Sequence, residues 1–292
     1  MTENQWTEFQ NLRQSYKSYV DELIRALPQL PVLLTELIGK RSGPSYPLET
    51  PVVYNHALDD IQKESTISVI LVADNPGRRE QSAAERRYLV GPSGKLADGF
   101  FKKHPELGID FRRNVLILNK TPIHTPRTVE LRDLARRGGP DLAEAIRNSQ
   151  IMMARFIHQC HQIFAPEAEL WIIGYSEMGP GKLFEAFTDT LRAAYAIAGY
   201  GPDSLFLDST LASKAPAQGG IADSGDTADN SPASNAPALA ENSISRQQVY
   251  LYRHFSMNQF SVDFTKQQEP GESTQETLHR IGSQYRKRIL GW

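Results

Sequence analysis

The sequence predicts a three-layer α/β/α fold with a mostly parallel central sheet of about four strands. Four short apolar segments have the composition of buried strands. Longer segments, in which apolar residues recur at helical spacing, alternate with them. Because neighbouring parallel strands need a long crossover connection, this alternation is typical of one sheet with helices on both faces.

Strands and helices are predicted in alternating order along the chain. The predicted strands cover residues 67–73, 114–118, 170–173 and 249–252. The predicted helices cover residues 6–40, with breaks at Pro28 and Pro31, and then 95–103, 141–164, a segment from after Gly174 to about residue 198, and 273–290.

A single α/β domain is predicted over residues 51–292, preceded by an N-terminal helical extension over residues 1–50. Within this domain, residues 210–246 are rich in small and polar residues and contain no aromatic side chain. Such a composition cannot bury enough apolar surface to offset the entropy lost on ordering. We therefore expect a disordered insertion there. A linker between two domains is the alternative, although residues 247–292 are few for an independent domain.

Composition excludes several classes of protein. Cys160 is the single cysteine of the chain, which excludes an internal disulfide and an all-cysteine metal cluster built from this chain. No apolar run is long enough to cross a bilayer, and the first residues are polar and acidic, which indicates no secretory signal. We expect a cytoplasmic monomer without a cofactor, a bound metal or a membrane partner. The net charge of −2 still permits a local basic groove.

Polar residues follow the predicted strands at their carboxyl ends. These residues are Asp74 and Asn75 after the first strand, Asn119 after the second, Gly174–Glu177 after the third, and His254, Ser256 and Asn258 after the fourth. Ligands of open α/β sheets bind in the crevice outside the carboxyl ends of the strands. The sequence therefore predicts one polar cleft at this edge. For the Asp-Asn-Pro-Gly segment, an ordinary turn is the alternative.

Three short motifs flank these positions in a fixed order. Residues 73–77 read Ala-Asp-Asn-Pro-Gly, residues 87–96 read Arg-Tyr-Leu-Val-Gly-Pro-Ser-Gly-Lys-Leu, and residues 254–258 read His-Phe-Ser-Met-Asn. Together they resemble the motifs of the uracil-DNA glycosylase superfamily, and the resemblance covers roughly residues 65–265. The first motif is similar to Gly-Ile-Asn-Pro-Gly of the mismatch-specific branch. The last is similar to His-Pro-Ser.

The resemblance implies an N-glycosyl hydrolase that removes uracil or a related damaged base from DNA in base excision repair. DNA is then the partner. Asn75 and Asp74 would position the attacking water, with Asn75 favoured because it matches the Asn-Pro-Gly branch. His254 would donate a hydrogen bond to the base oxygen and stabilise the departing anion.

The resemblance also assigns residues to the base and to the DNA backbone. Base-binding candidates are Asn119, Leu89, Tyr88 and Ser256, and backbone-binding candidates are Gly94, Lys95 and Asn258. The sequence departs from the family at three of the motif positions. Ala73 replaces the motif glycine, Leu89 is an aliphatic residue at the stacking position, and Phe255 replaces the proline. The cysteines of the iron–sulfur branch are absent, so no such cluster is expected.

Two other functions fit parts of the sequence. The same fold could bind nucleic acid or a nucleotide without catalysis, because fold does not fix function. Alternatively, residues 174–179 loosely resemble the Gly-x-Ser-x-Gly turn of serine esterases, with Ser176 as nucleophile, His254 as base and Asp208 as acid.

Three other histidines lie outside these motifs. His158 and His161 are expected to be ordinary surface or core residues rather than metal ligands, because they have no nearby fourth ligand. His124, in the loop after the second strand, is expected to be a solvated loop residue, and a place in the lining of the cleft is the alternative.

Overall fold

The structure is a computed structural model that describes residues 1–40, 45–196 and 246–292. The predicted insertion at residues 210–246 lies outside the described residues except for Arg246, and Asp208 lies outside them as well.

The central sheet has four parallel strands, β1 (Val69–Ala73), β2 (Val115–Asn119), β3 (Glu169–Ile173) and β4 (Val249–Tyr252), in the spatial order β2-β1-β3-β4. The prediction of a three-layer α/β/α fold around a four-stranded parallel sheet is confirmed. The strands are apolar nearly throughout because helices flank the sheet and leave them almost entirely buried. All four carboxyl ends meet at one edge, where Ala73 is paired with Asn119.

The helices in the described residues are α1 (Glu3–Ala26), α2 (Leu30–Gly39), α3 (Pro92–Lys103), α4 (Glu130–Phe164), α5 (Glu185–Ala196), α6 (Gln259–Gln267) and α7 (Thr274–Leu290). None of these described helices combines the length and the apolarity needed to cross a membrane.

Helix α4 begins earlier than the sequence predicts. It consists of two helical segments joined at Gly139, whose φ of 74° is not helical. Pro140 follows directly and is well suited to start the second segment, because its fixed φ fits the first helical turn. The sequence pattern indicated only this second segment. Helix α6 was not predicted either.

Helix α1 contributes to the same core as the sheet. Phe9, Leu12, Tyr16 and Val20 form its buried face. Phe9 packs against Phe164 of α4 at a ring distance of 5.4 Å. The hydroxyl of Tyr16 shares a hydrogen bond of 3.0 Å with that of Tyr88, which anchors the loop before α3. The helical extension therefore supports a loop that reaches the edge of the cleft.

Candidate active site

A cleft of about 1040 Å³ lies at the carboxyl edge of the sheet. It is formed by the segments after β1 and β4, the loop after β2, and the N-terminal turn of α3. Its lining includes Asp74, Asn75, Glu80, Leu89, Ser93, Thr125, Thr128, His254, Ser256 and Met257. Parallel strands of this kind bind ligands at this edge.

Asp74 is held by a fully buried lysine. The Nζ of Lys120 donates to Asp74 Oδ1 at 2.6 Å and to the carbonyl of Ile173 at 2.6 Å. Thr128 Oγ1 lies 3.4 Å from the other carboxylate oxygen. A Cβ on Gly174 would lie only 2.6 Å from Asp74 Oδ1, so the glycine leaves the room that this carboxylate occupies. Asp74 is thus held by Lys120 on the side of the sheet, and its carboxylate lines the cleft.

Asn75 is bound to the loop after β2. Its Nδ2 donates to Thr125 Oγ1 at 2.9 Å, and the carbonyls of Ile123 and Thr125 lie 3.5 Å from the same nitrogen. The side chain lines the cleft, but its amide N–H groups face protein oxygens rather than the open space. This arrangement limits what the amide offers to a ligand.

His124 holds the Asp-Asn-Pro-Gly turn and is fully buried, so the expectation of a solvated loop histidine is wrong. Its Nδ1 lies 2.8 Å from the carbonyl of Pro76, and its Nε2 lies 2.9 Å from the hydroxyl of Tyr46. Because a carbonyl only accepts, Nδ1 carries the proton. The turn is therefore attached to the loop after β2 through both Asn75 and His124.

His254 has a defined tautomer. The backbone N–H of Ser256 donates to its Nδ1 at 3.0 Å, so the proton of the neutral ring is on Nε2. Burial lowers the pKa of His254, with the charge of Asp74 opposing this shift and that of Lys120 reinforcing it. At neutral pH the ring is therefore a neutral donor in the cleft, within the electrostatic influence of Asp74.

Asn119 is buried beside the cleft rather than in its lining. Asn119 is 1% exposed, and neither polar atom of its side chain has a hydrogen-bond partner among the described residues. It is paired with Ala73, which does line the cleft. Because buried amides are almost always hydrogen-bonded, a ligand or a water is expected to supply these partners.

The loop before α3 separates the two stacking candidates. Leu89 lines the cleft with a φ of 51°, in the left-handed region that favours glycine. Tyr88 is buried outside the lining, and its hydroxyl donates to the carbonyl of Val53 at 2.6 Å. Arg112 donates to the Leu89 carbonyl at 2.7 Å. Of the two candidates, only Leu89 therefore lines the cleft.

The three residues predicted to contact the DNA backbone differ in their position relative to the cleft. Gly94 is buried, and a Cβ there would lie 1.5 Å from the Leu89 carbonyl oxygen, so its role is to let α3 approach this loop. Lys95 is exposed and lies outside the lining. Asn258 is exposed, with a φ of 56°, next to Met257, which lines the cleft. Ser256 lines the cleft as well.

The structure adds residues that the sequence did not single out. Arg78 lines the cleft, lies 5.0 Å above the ring of Tyr46, and has no ion-pair partner among the described residues. Met257 is 81% exposed, and its backbone is in the left-handed region with a φ of 53°. Lys120 could have been noticed, because it directly follows the Val-Leu-Ile-Leu-Asn segment of a predicted buried strand, where a lysine needs a buried partner.

Glu80 is a buried carboxylic acid in the lining of the cleft. Its Oε2 accepts from the backbone N–H of Gly77 at 3.0 Å. Burial raises the pKa of Glu80 to about 7, although backbone N–H groups of Gly77, Leu89 and Val90 and the charge of Arg112 oppose the shift. Glu80 thus interacts with backbone N–H groups of both the Asp-Asn-Pro-Gly turn and the loop before α3.

The free energy of unfolding is expected to reflect this shift. The folded protein retains a proton on Glu80 that the unfolded chain releases above its ordinary pKa of 4.5. Glu80 therefore stabilises the fold fully below pH 4.5, and this contribution is lost as the pH rises to about 7. A shift of this size corresponds to about 3 kcal/mol. Urea unfolding of the wild type and of Glu80→Gln at pH 5 and pH 8 measures it. The wild type should lose more stability between the two pH values, and parallel losses would contradict the assignment.

Within the part of the chain that the structure describes, Ser176 does not line the same cleft as His254, and no metal site is found. Ser176 is exposed in a short 3-10 helix (Tyr175–Glu177) and lies outside the lining of the cleft that contains His254. His158 and His161 are buried core residues, and burial lowers the pKa of His161 to about 3. Among the described residues, no group of three or more His, Cys, Asp or Glu side chains is arranged to hold a metal ion.

Protein-family models, curated proteins and solved structures were compared with this chain, and none of them matches it. Its function is therefore inferred from the geometry of the cleft.

Proposed function

We propose that this protein hydrolyses the N-glycosidic bond of uracil or of a related damaged base in DNA. The single observation that carries the proposal is the pair of groups in the cleft, the carboxylate of Asp74 and the neutral Nε2–H donor of His254. Glycosidic cleavage generates positive charge on the sugar and negative charge on the departing base. The two groups have the chemistry that these opposite charges need.

The roles follow from the charges. As the bond between the base and the sugar breaks, Asp74 stabilises the cationic sugar and orients the water that attacks it. Asp74 takes the proton that this water loses when its oxygen bonds to the sugar, and then releases it to solvent. The bonding electrons leave with the base, and His254 donates from Nε2 to the base oxygen on which negative charge develops. A fixed neutral donor performs this task without transferring its proton. The free base then takes a proton from solvent.

The contacts favour Asp74 over Asn75 as the group that orients water. An amide cannot accept a proton at neutral pH, whereas a carboxylate can. The Nδ2 of Asn75 is bound to Thr125, and the Asp74 charge acts on His254. We therefore assign Asp74 to the water and Asn75 to the rigidity of the turn.

The rim of the cleft supports DNA as the substrate. Arg78 provides a positive charge that no carboxylate among the described residues neutralises, and Gly91, Pro92 and Ser93 bring the positive end of α3 to the cleft. Such groups suit phosphate oxygens. Met257 adds an exposed apolar side chain, of the kind that proteins insert between base pairs. Of the departures from the family motifs, Phe255 does not enter the cleft, since it is fully buried against Phe260 at a ring distance of 4.2 Å.

Met257→Ser is expected to lower excision from duplex DNA about tenfold, because an apolar wedge helps to meet the cost of unstacking, which is a few kcal/mol per step. Excision from a single strand, where the base is already unstacked, should change less than twofold. Parallel time courses on the two substrates measure the ratio. Val262→Ser is the matched control, since Val262 is an exposed apolar residue outside the lining of the cleft. An equal loss on both substrates would rule out the wedge.

A non-catalytic binding protein is the second candidate. The amide of Asn119, buried beside the cleft without a partner among the described residues, suits a hydrogen-bonded ligand whether or not chemistry follows, so it fits this candidate as well as the glycosylase. One experiment separates the two candidates. Single-stranded oligonucleotides that contain uracil, hypoxanthine or xanthine are incubated with the protein, and both binding and alkali-labile abasic sites are measured. Abasic sites support the glycosylase, whereas binding without abasic sites supports the second candidate.

A further inference from the structure

We infer that Lys120 is a positioning residue, which fixes the carboxylate of Asp74 in the orientation that the reaction needs. The inference rests on the proposed function and assigns it a residue that does not touch the substrate.

The ammonium group of Lys120 is surrounded by three partners. It donates to Asp74 Oδ1 and to the carbonyl of Ile173, each at 2.6 Å, and it lies 5.0 Å from the ring centre of Phe184. Lys120 is fully buried. An ammonium has three N–H groups, and these partners are an ionised acceptor, a carbonyl and an aromatic face, each of which attracts a cation. The group is therefore held in one position.

The same residue joins three strand ends. The backbone N–H of Lys120 lies 2.9 Å from the Ala73 carbonyl and 3.0 Å from that of Asp74, at the end of β1. Its side chain reaches the Ile173 carbonyl at the end of β3. Lys120 itself follows β2. Asp74 is thereby oriented relative to the rigid sheet rather than to a loop.

The contacts leave one carboxylate oxygen for chemistry. Oδ1 is engaged by Lys120, whereas Oδ2 has only Thr128 at 3.4 Å. Lys120 is not among the residues that line the cleft. It therefore acts through Asp74 and is not itself a nucleophile. Burial lowers the pKa of Lys120, and the charge of Asp74 opposes this shift.

Single-turnover excision and DNA binding test the inference in Lys120→Met and Lys120→Gln. Lys120→Met keeps the apolar stem but removes the donors, and it should slow excision about 100-fold, the typical effect of a misplaced catalytic group. Lys120→Gln retains a neutral donor, and it should slow excision by only about tenfold. Binding to the uracil strand should change less than twofold in both. Ser149→Ala is the control, because it removes a buried hydrogen bond to Thr121 at 2.7 Å without touching Asp74.

The outcomes are distinct. If the wild type excises no base, the proposed function fails. If the wild type excises and either variant does so at an unchanged rate, the inference alone fails. A loss of binding that parallels the loss of rate, or an equal slowing by Ser149→Ala, also overturns it, since this would indicate general damage to the fold. If Lys120→Met does not fold because it leaves the Asp74 carboxylate without its ion-pair partner, the rate and binding of Lys120→Gln decide.

Discussion

Replacing His254 with alanine is expected to lower the rate of base excision by about 100-fold to 1,000-fold, the usual effect of losing one preorganised donor to a developing anion. The tautomer of His254 supports a rate loss of this magnitude. The Ser256 N–H donates to Nδ1 at 3.0 Å, so the proton of the neutral ring is on Nε2 and is available to the base. The loss should appear in the single-turnover rate, with little change in DNA affinity, since the developing charge exists only in the transition state.

His56→Ala is the matched control for this experiment. His56 is a partly exposed histidine whose ring lies 3.0 Å from Asp59, and exposed pairs of this kind contribute little. His158 does not serve as a control because it is buried in the core. Equal rates for the His254 and His56 variants would show that His254 does not stabilise the departing base.

Single substitutions of the two residues that follow β1, Asp74 and Asn75, should affect different properties of the protein. Asp74→Asn is expected to lower the excision rate by about 100-fold to 10,000-fold, because the amide cannot act as a base. Asn75→Asp should change the rate less than threefold. It should instead lower the free energy of unfolding by about 1–3 kcal/mol, because it removes the donor to Thr125 and sets a carboxylate near backbone carbonyls.

Rates and urea unfolding of both variants measure these effects. The pattern favoured from the sequence was the reverse, with Asn75 at the water. If Asn75→Asp raises excision and Asp74→Asn leaves it unchanged, that original preference is correct and the assignment from the contacts is wrong.

The fold and the main site segments were predictable because they depend on local signals. Apolar runs ending in polar residues identified the strands, and parallel strands necessarily bring Asp74 and His254 to one edge of the sheet. Side-chain direction was not predictable in the same way. Tyr88 and Leu89 are adjacent in sequence, yet only Leu89, whose φ is 51°, lines the cleft.

Long-range partners account for what the sequence did not indicate. His124 is buried because Tyr46 and the Pro76 carbonyl bond to its two ring nitrogens, and neither residue is near it in sequence. The role of Lys120 depends on Asp74 and Ile173, which belong to two other strand ends. Patterns within one segment contain no information about such pairings.

The most direct test of the proposed activity is the detection of free uracil by mass spectrometry after incubation with a single-stranded uracil oligonucleotide. The wild type and the double variant Asp74→Asn/His254→Ala, purified identically, are compared so that a contaminating enzyme is recognised. We predict free uracil with the wild type and a loss of at least about 100-fold with the double variant. No uracil from the wild type, or equal amounts from both proteins, would contradict the proposal that this cleft is a glycosylase site.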